Sequence, residues 1–317
     1  MGAQPFVRPK NLLAPAIELK RAFEVPQAVI DLIEKGSPFK TEAKVHKRPG
    51  EEMTGGWFRN FWALGGKVVF DGAEALFENP NFIAAARQTF KAEVVRPVAM
   101  MTNLNLPADA LPPHLDLPFF RGLTNREVPS WMLVPMGYSG LFHDWAIPVA
   151  SAITWFYEAD GGAFEYWPQG LKAPSVSVQP PYSNTSVIAD NEYMYHRVGA
   201  TGAESEYWSA TSVPYDATLE LTHARDWLVR HGDSELARLP YEKVRLSVLW
   251  KAFCFQSQEM ATSYDDHSHD LTPALVTARF CEDLHRREIS FAEPDEAASD
   301  LDWKQTLMTH YRPPDAS

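Results

Sequence analysis

His114, Asp116 and His196 are the residues whose types and spacing can do chemistry. His114-Leu115-Asp116 follows the Pro112-Pro113 pair. In extended chain, positions i and i+2 project from one face, so the imidazole and the carboxylate can reach one ion together. His196, in the run YMYHRV, supplies a third ligand from another strand. Two histidines and one carboxylate on one side of a metal leave the remaining positions open, the arrangement that suits non-haem Fe(II) oxygen chemistry. Further on, Arg245 and Ser247 in VRLSVLWKAF share a strand face, where a guanidinium and a hydroxyl can jointly hold a carboxylate.

Other polar groups have simpler readings. His231-Gly232-Asp233 repeats the His-x-Asp spacing but stands at the end of a helical pattern, where it reads as a C-terminal cap. Tyr264 to Asp270 is dense in His and Asp, yet its spacing matches no closed zinc pattern, and Asp270 reads as the cap of a following helix. His143-Asp144 lies in a Gly/aromatic loop and reads as a surface or lid feature. Arg121 and Arg126 follow the ligand triplet closely and are candidates to bind an anionic group of a substrate or to form surface ion pairs. Trp155, with Tyr157, Tyr166 and Trp167, is a candidate for a pocket wall or for plain core.

The elements that must position these residues divide the chain in three. Residues 1–93 read as a mixed α/β supporting region, with helical periodicity over Ala28 to Lys35 and Asn81 to Phe90 and a strand or hairpin from Trp57 to Phe70. Residues 94–255 carry short β-prone runs punctuated by Pro, Gly and Asn: VVRPVAMMTNL, PSWMLVPM, ASAITWFYEA, AFEYWP, NTSVIA, YMYHRV, EYWSATSV and VRLSVLWKAFCF. Such a series predicts an antiparallel sandwich or barrel. Within it, Leu219, Leu221, Ala224, Trp227 and Leu228 predict a helix inserted over 218–236. Residues 256–317 predict a helix from Thr272 to Arg286 and a loosely ordered acidic tail from Glu293. All three parts are expected to form one structural domain.

Composition narrows the partners. The chain has 317 residues, 45% hydrophobic, and a net charge of −12. No Lys/Arg-rich stripe stands out, which disfavours a surface for nucleic acid. Cys254 and Cys281 cannot make a disulfide framework, which suits a reducing, cytoplasmic setting. The opening MGAQPFVRPK has no apolar signal core, and every apolar stretch is broken well short of a bilayer span, so neither export nor a membrane is expected.

On His114-x-Asp116, His196 and Arg245-x-Ser247, with GGAFEYWP before the distal histidine, the chain resembles the Fe(II)- and 2-oxoglutarate-dependent oxygenases over roughly residues 94–255. That resemblance implies a mainly β protein with flanking helices around a double-stranded β-helix, a jelly-roll, cupin-like core. It implies Fe(II) on His114, Asp116 and His196, and the distal carboxylate of 2-oxoglutarate on Arg245 and Ser247. Dioxygen is then the second cosubstrate, and the reaction is hydroxylation or another C–H oxidation of a small molecule such as an amino-acid derivative or biosynthetic intermediate. In many members the arginine follows the distal histidine by about one hairpin. Here the separation is 245 − 196 = 49 positions, which the helix expected over 218–236 explains as an excursion between adjacent strands. Arg197 is the nearest substitute, but it adjoins His196 and points to the opposite face. Two other readings use the same residues: a cupin-like metalloenzyme without 2-oxoglutarate, and a non-enzymatic small-molecule-binding barrel with hydrogen-bonded core histidines.

Overall fold

The computed structural model describes residues 15–46, 53–158, 160–208 and 212–312. The opening decapeptide and most of the EYWSATSV centre lie outside these ranges.

Eight extended segments build the centre, and the chain passes repeatedly between two sheets as it makes them. Val94–Asn105, Arg245–Phe255, Val149–Trp155 and Thr185–Ala189 lie side by side in that spatial order, all antiparallel. Facing them, residues 108–116 bridge to Tyr195–Val198, which pairs with Phe164–Trp167 and through it with Val176–Ser177. Two four-stranded antiparallel layers connected in this order form a jelly roll, the double-stranded β-helix expected from the sequence. Trp155, Val187 and Ala189 of one layer pack with Phe164, Val178 and Met194 of the other, and the Trp155 and Phe164 rings are 6.1 Å apart. The segment 108–116 makes only isolated bridges because Pro107, Pro112 and Pro113 have no N–H to give to a ladder.

The first layer extends past Val94–Asn105 through Trp57–Leu64 and Phe39–Thr41, making a sheet of eleven strands. Its outer face is covered by the helices Pro26–Lys35 and Pro80–Phe90, whose Val29, Ile33, Phe82 and Ala86 pack on Trp62, Met100, Leu104 and Trp250. Asn79 caps the second helix through a 2.9 Å bond from the Asn81 N–H. Covered on both faces, Arg245–Phe255 reads as a nearly unbroken apolar run.

Five expectations need correction. Residues 218–236 are not a helix: they hold Thr218–Leu221, Asp226–His231 and the start of Ser234–Pro240, which continue the sheet beyond Phe39–Thr41. Leu219, Trp227 and Val229 are wholly buried at period two. Gly232, at φ 55°, and Asp233 form the two-residue turn between the paired His231 and Ser234, so this triplet is a hairpin turn and no helix cap. The excursion still carries the chain from the distal histidine to Arg245. PSWMLVPM belongs to a helix, Ser130–Ser139, that is apolar on all sides because Met132, Leu133 and Met136 are enclosed with Phe280 and Trp303. The tail forms a further helix, Leu301–His310, docked by Trp303 and Leu307, and Thr272, not Asp270, caps Pro273–Arg286. Among the described residues no helix is long and apolar enough to cross a membrane.

Candidate functional site

The two histidines are placed by main chain before any side chain acts. His114 N–H donates to His196 O and His196 N–H to His114 O, both at 3.0 Å, and the rings come within 4.5 Å of each other. Asp116 is fixed in the same way, its N–H donating to Asn191 O at 2.9 Å. Each imidazole also has Nδ1 against the carbonyl two residues earlier, His114 on Pro112 O at 3.0 Å and His196 on Met194 O at 3.1 Å. A carbonyl only accepts, so Nδ1 carries the proton and Nε2 keeps its lone pair. His196 Nε2 stands 3.8 Å from Asp116 Oδ1.

Among the described residues, His114, Asp116 and His196 are the one group of His, Cys, Asp and Glu whose ligand atoms all lie within 4.8 Å of one another. Their protonation suits a cation. Burial lowers the His196 pKa to about 4, against the pull of Asp116, so the ring is neutral at pH 7. Burial alone would raise Asp116, but Lys251, aided by both histidines, outweighs it and holds the carboxyl at about 2. Lys251 Nζ donates to Asp116 Oδ2 at 2.7 Å. Its own pKa is raised: burial would lower it, but Asp116, Glu192 and Asp190 attract the charge more strongly.

The three residues open onto a cavity of about 320 Å³ that Arg245, Ser247 and Leu249 also line, together with Ile153, Phe164 and Val198. Arg245 is 1% exposed, and burial lowers its pKa from the ordinary arginine value. Nε donates to Gly162 O at 2.9 Å, while Nη1 donates to Asn105 Oδ1 at 3.3 Å and Ser247 Oγ at 3.2 Å. Nη2 has no partner, and neither has the buried Nδ2 of Asn105. Two buried donors left over beside one guanidinium fit a carboxylate. The Gly161-Gly162 pair makes room for this. Both have positive φ, and a Cβ on Gly162 would lie 2.9 Å from Arg245 Cδ and 2.7 Å from Tyr157 Oη. Ser247 Oγ accepts from Arg245 and donates to Asn103 O at 3.3 Å, so it orients the guanidinium.

The other candidates stand elsewhere. Arg121 faces a separate hollow with Trp145 and Tyr264, bound to Asp270 at 3.4 Å and donating to His269 O. The chain turns away after Asp116 toward the helical cluster, which takes Arg121 with it. Arg126 is exposed on the surface beside Thr124 and Glu127. Trp155, 1% exposed, is core between the two layers and does not line the cavity. Arg197 points outward to Glu165 at 2.8 Å. Sequence reasoning passed over Asn105, directly opposite Arg245 in register, and Lys251, which shares the strand face of Arg245 and Ser247. The period-two spacing was the signal available for Lys251.

The fold and site thus define a mainly β jelly roll with flanking helices and a two-histidine, one-carboxylate group at its cavity. Of solved structures, 139 chains match. They include an oxidoreductase of the 2OG-Fe(II) oxygenase family from Burkholderia pseudomallei, 14% identical over 75% of this chain and 84% of that one, with a TM-score of 0.40. A prolyl-4-hydroxylase from Pseudomonas putida is 13% identical over 77% and 94%, with a TM-score of 0.37. HygX from Streptomyces hygroscopicus, solved with nickel, 2-oxoglutarate and hygromycin B, is 10% identical over 76% and 83%, with a TM-score of 0.40. No family model and no curated protein matches the chain.

Proposed function

We propose that this protein is a non-haem Fe(II)- and 2-oxoglutarate-dependent oxygenase that uses dioxygen to oxidise a C–H bond, by default to an alcohol, in a small-molecule substrate. The observation that carries the reading is the coexistence, in one cavity, of the converging His114, Asp116 and His196 with a buried guanidinium that has one nitrogen unspent. A cupin-like metalloenzyme without 2-oxoglutarate has no use for Arg245 in that state, and a plain binding barrel has none for the three ligands. The net charge of −12 argues against a nucleic-acid substrate.

With Fe(II) and 2-oxoglutarate bound, the site would supply oxygen activation coupled to oxidative decarboxylation, giving succinate and carbon dioxide. The chain's own work is holding and excluding. Met194 O and Pro112 O keep the Nδ1 protons, so Nε2 of each ring would be the atom that holds the metal. Asp116 presents a charged oxygen. Arg245 Nη2, with Asn105 Nδ2 beside it, would hold the distal carboxylate of the cosubstrate, with Ser247 aligning the guanidinium. Ile153, Phe164, Val198 and Leu249 make an apolar wall that limits water at the reacting centre. No acid or base is required of the protein.

The test is an anaerobic titration of metal-free protein with Fe(II) and then 2-oxoglutarate, following the weak visible charge-transfer band of a chelated keto acid. The band should appear in the wild type, vanish in His114→Ala and weaken in Arg245→Ala. Iron uptake without a band would favour the 2-oxoglutarate-independent enzyme, and no iron uptake would favour the binding barrel.

A further inference from the structure

Alternate residues of Arg245–Phe255 serve opposite faces. Leu246, Val248, Trp250, Ala252 and Cys254 enter the helix-covered core, while Arg245, Ser247 and Leu249 line the cavity. Lys251 is the next residue on that inner face. Its side chain is 12% exposed, and desolvating an ammonium is costly unless something specific repays it. Neither metal ligation nor capture of the cosubstrate carboxylate uses it.

Its partner identifies its task. Nζ bonds Asp116 Oδ2 at 2.7 Å, whereas Asp116 Oδ1 is the oxygen near His196 Nε2, at 3.8 Å. The two oxygens of one carboxylate therefore have different neighbours, a cation for one and the ligand cluster for the other. The Asn191 carbonyl fixes the Asp116 backbone from the adjoining turn, and in that turn Asp190 and Glu192, each 1% exposed, add to the attraction that keeps the ammonium in place.

We propose that Lys251 is a positioning residue that occupies Asp116 Oδ2, so that the carboxylate meets the metal through Oδ1 alone. The inference rests on the reading of His114, Asp116 and His196 as metal ligands, and it concerns how many positions they use. A carboxylate binds a cation through one oxygen or two. Two histidines and a single-oxygen carboxylate fill half of an octahedron and leave the other half for a chelating cosubstrate and dioxygen. A carboxylate chelating through both oxygens would take one of those positions.

Co(II) is the probe, because its visible d–d bands weaken as coordination number rises, and they are read without turnover. Full-length metal-free wild type, His114→Ala, Lys251→Met and Lys251→Gln are titrated with Co(II) alone, with folding checked by circular dichroism. Wild type should bind with a defined band that His114→Ala loses. Lys251→Met should bind with a weaker, shifted band, since both Asp116 oxygens are then free. Lys251→Gln, which keeps an N–H donor on a side chain one atom shorter, should restore the wild-type band. A wild-type band in Lys251→Met, or equal change in both Lys251 variants, overturns the positioning role while leaving the metal site standing. If only the Met variant fails to fold, the Gln variant decides: an altered band overturns the proposal. If neither folds, Lys251 is a structural counter-ion to Asp190 and Glu192, and the proposal falls. Absence of a band in the wild type removes the metal reading and this inference with it.

Discussion

His114 and His196, 82 positions apart in sequence (196 − 114), exchange both of their main-chain hydrogen bonds at 3.0 Å. They are a directly opposed antiparallel pair, so their side chains leave the two strands on the same face and side by side. The jelly-roll connection is what makes this possible. It returns Tyr195–Val198 to residues 108–116 after the chain has crossed between the layers, and the pair then needs only Asp116, two residues on, to complete a ligand set.

Because main-chain bonds hold the pair, removing either ring should leave the fold intact and abolish metal binding. His196→Ala and His114→Ala are each expected to lose about a hundredfold or more in Co(II) or Fe(II) affinity, beyond the usual effect of altering a ligand's neighbours. Isothermal titration alongside circular dichroism checks this. Wild-type affinity in either folded variant would sink the ligand assignment.

Arg245 separates charge from geometry. Arg245→Lys keeps a cation but cannot serve Gly162 O, Asn105 Oδ1, Ser247 Oγ and a ligand carboxylate together. Losing one charge-assisted bond corresponds to about tenfold to a hundredfold weaker 2-oxoglutarate binding, with Fe(II) binding unchanged. The charge-transfer band, titrated with 2-oxoglutarate at saturating Fe(II), measures it. Equal affinity for 2-oxoglutarate in both proteins would remove Arg245 from the cosubstrate site.

What could be read from residue order alone was what local spacing encodes. His114-x-Asp116 and Arg245-x-Ser247 are period-two pairs, and the short runs around them carry strand composition, so the jelly roll and its cavity residues were legible. Lys251 lies on the same face as Arg245, but its meaning depends on Asp116 approaching from another layer, which spacing does not contain. Asn105 matters only through its register opposite Arg245. Thr218–Leu221 and Asp226–His231 were mistaken for helix because Leu228 fills in between Trp227 and Val229, blurring the alternation that the Gly232-Asp233 turn announces. Arg121 misled through proximity in sequence, since the chain leaves the cavity directly after Asp116.

Gly162→Ala should damage the site without touching a ligand. The residue has φ 68°, and its new Cβ would meet Tyr157 Oη at 2.7 Å and Arg245 Cδ at 2.9 Å. The left-handed backbone and the crowding together should cost about 1–3 kcal/mol of stability. The displaced guanidinium should also weaken 2-oxoglutarate more than Fe(II). Thermal melts and the two titrations test this, and loss of both affinities to the same degree would mean general unfolding of the cavity.

Acid should loosen the C-terminal helices through Asp283. Burial would raise its pKa, but hydrogen bonds from Tyr311, Arg286 and Arg287 prevail and hold it below the usual 3.8. Tyr311 Oη donates to Oδ2 at 2.7 Å and Arg287 Nη1 at 3.1 Å, joining Pro273–Arg286 to the end of Leu301–His310. With the folded value depressed, the unfolded chain binds the proton first as pH falls. The stabilisation is therefore whole above the unfolded value and disappears as pH drops from there through the folded one. Asp283→Asn keeps an acceptor but loses the charge, and should cost about 1–3 kcal/mol at pH 7. Melts of both proteins from pH 7 to pH 2 should converge as the acid limit is approached. A gap that stays constant down to the lowest pH would assign the effect to packing around Trp303 and Tyr311 instead of to the carboxylate.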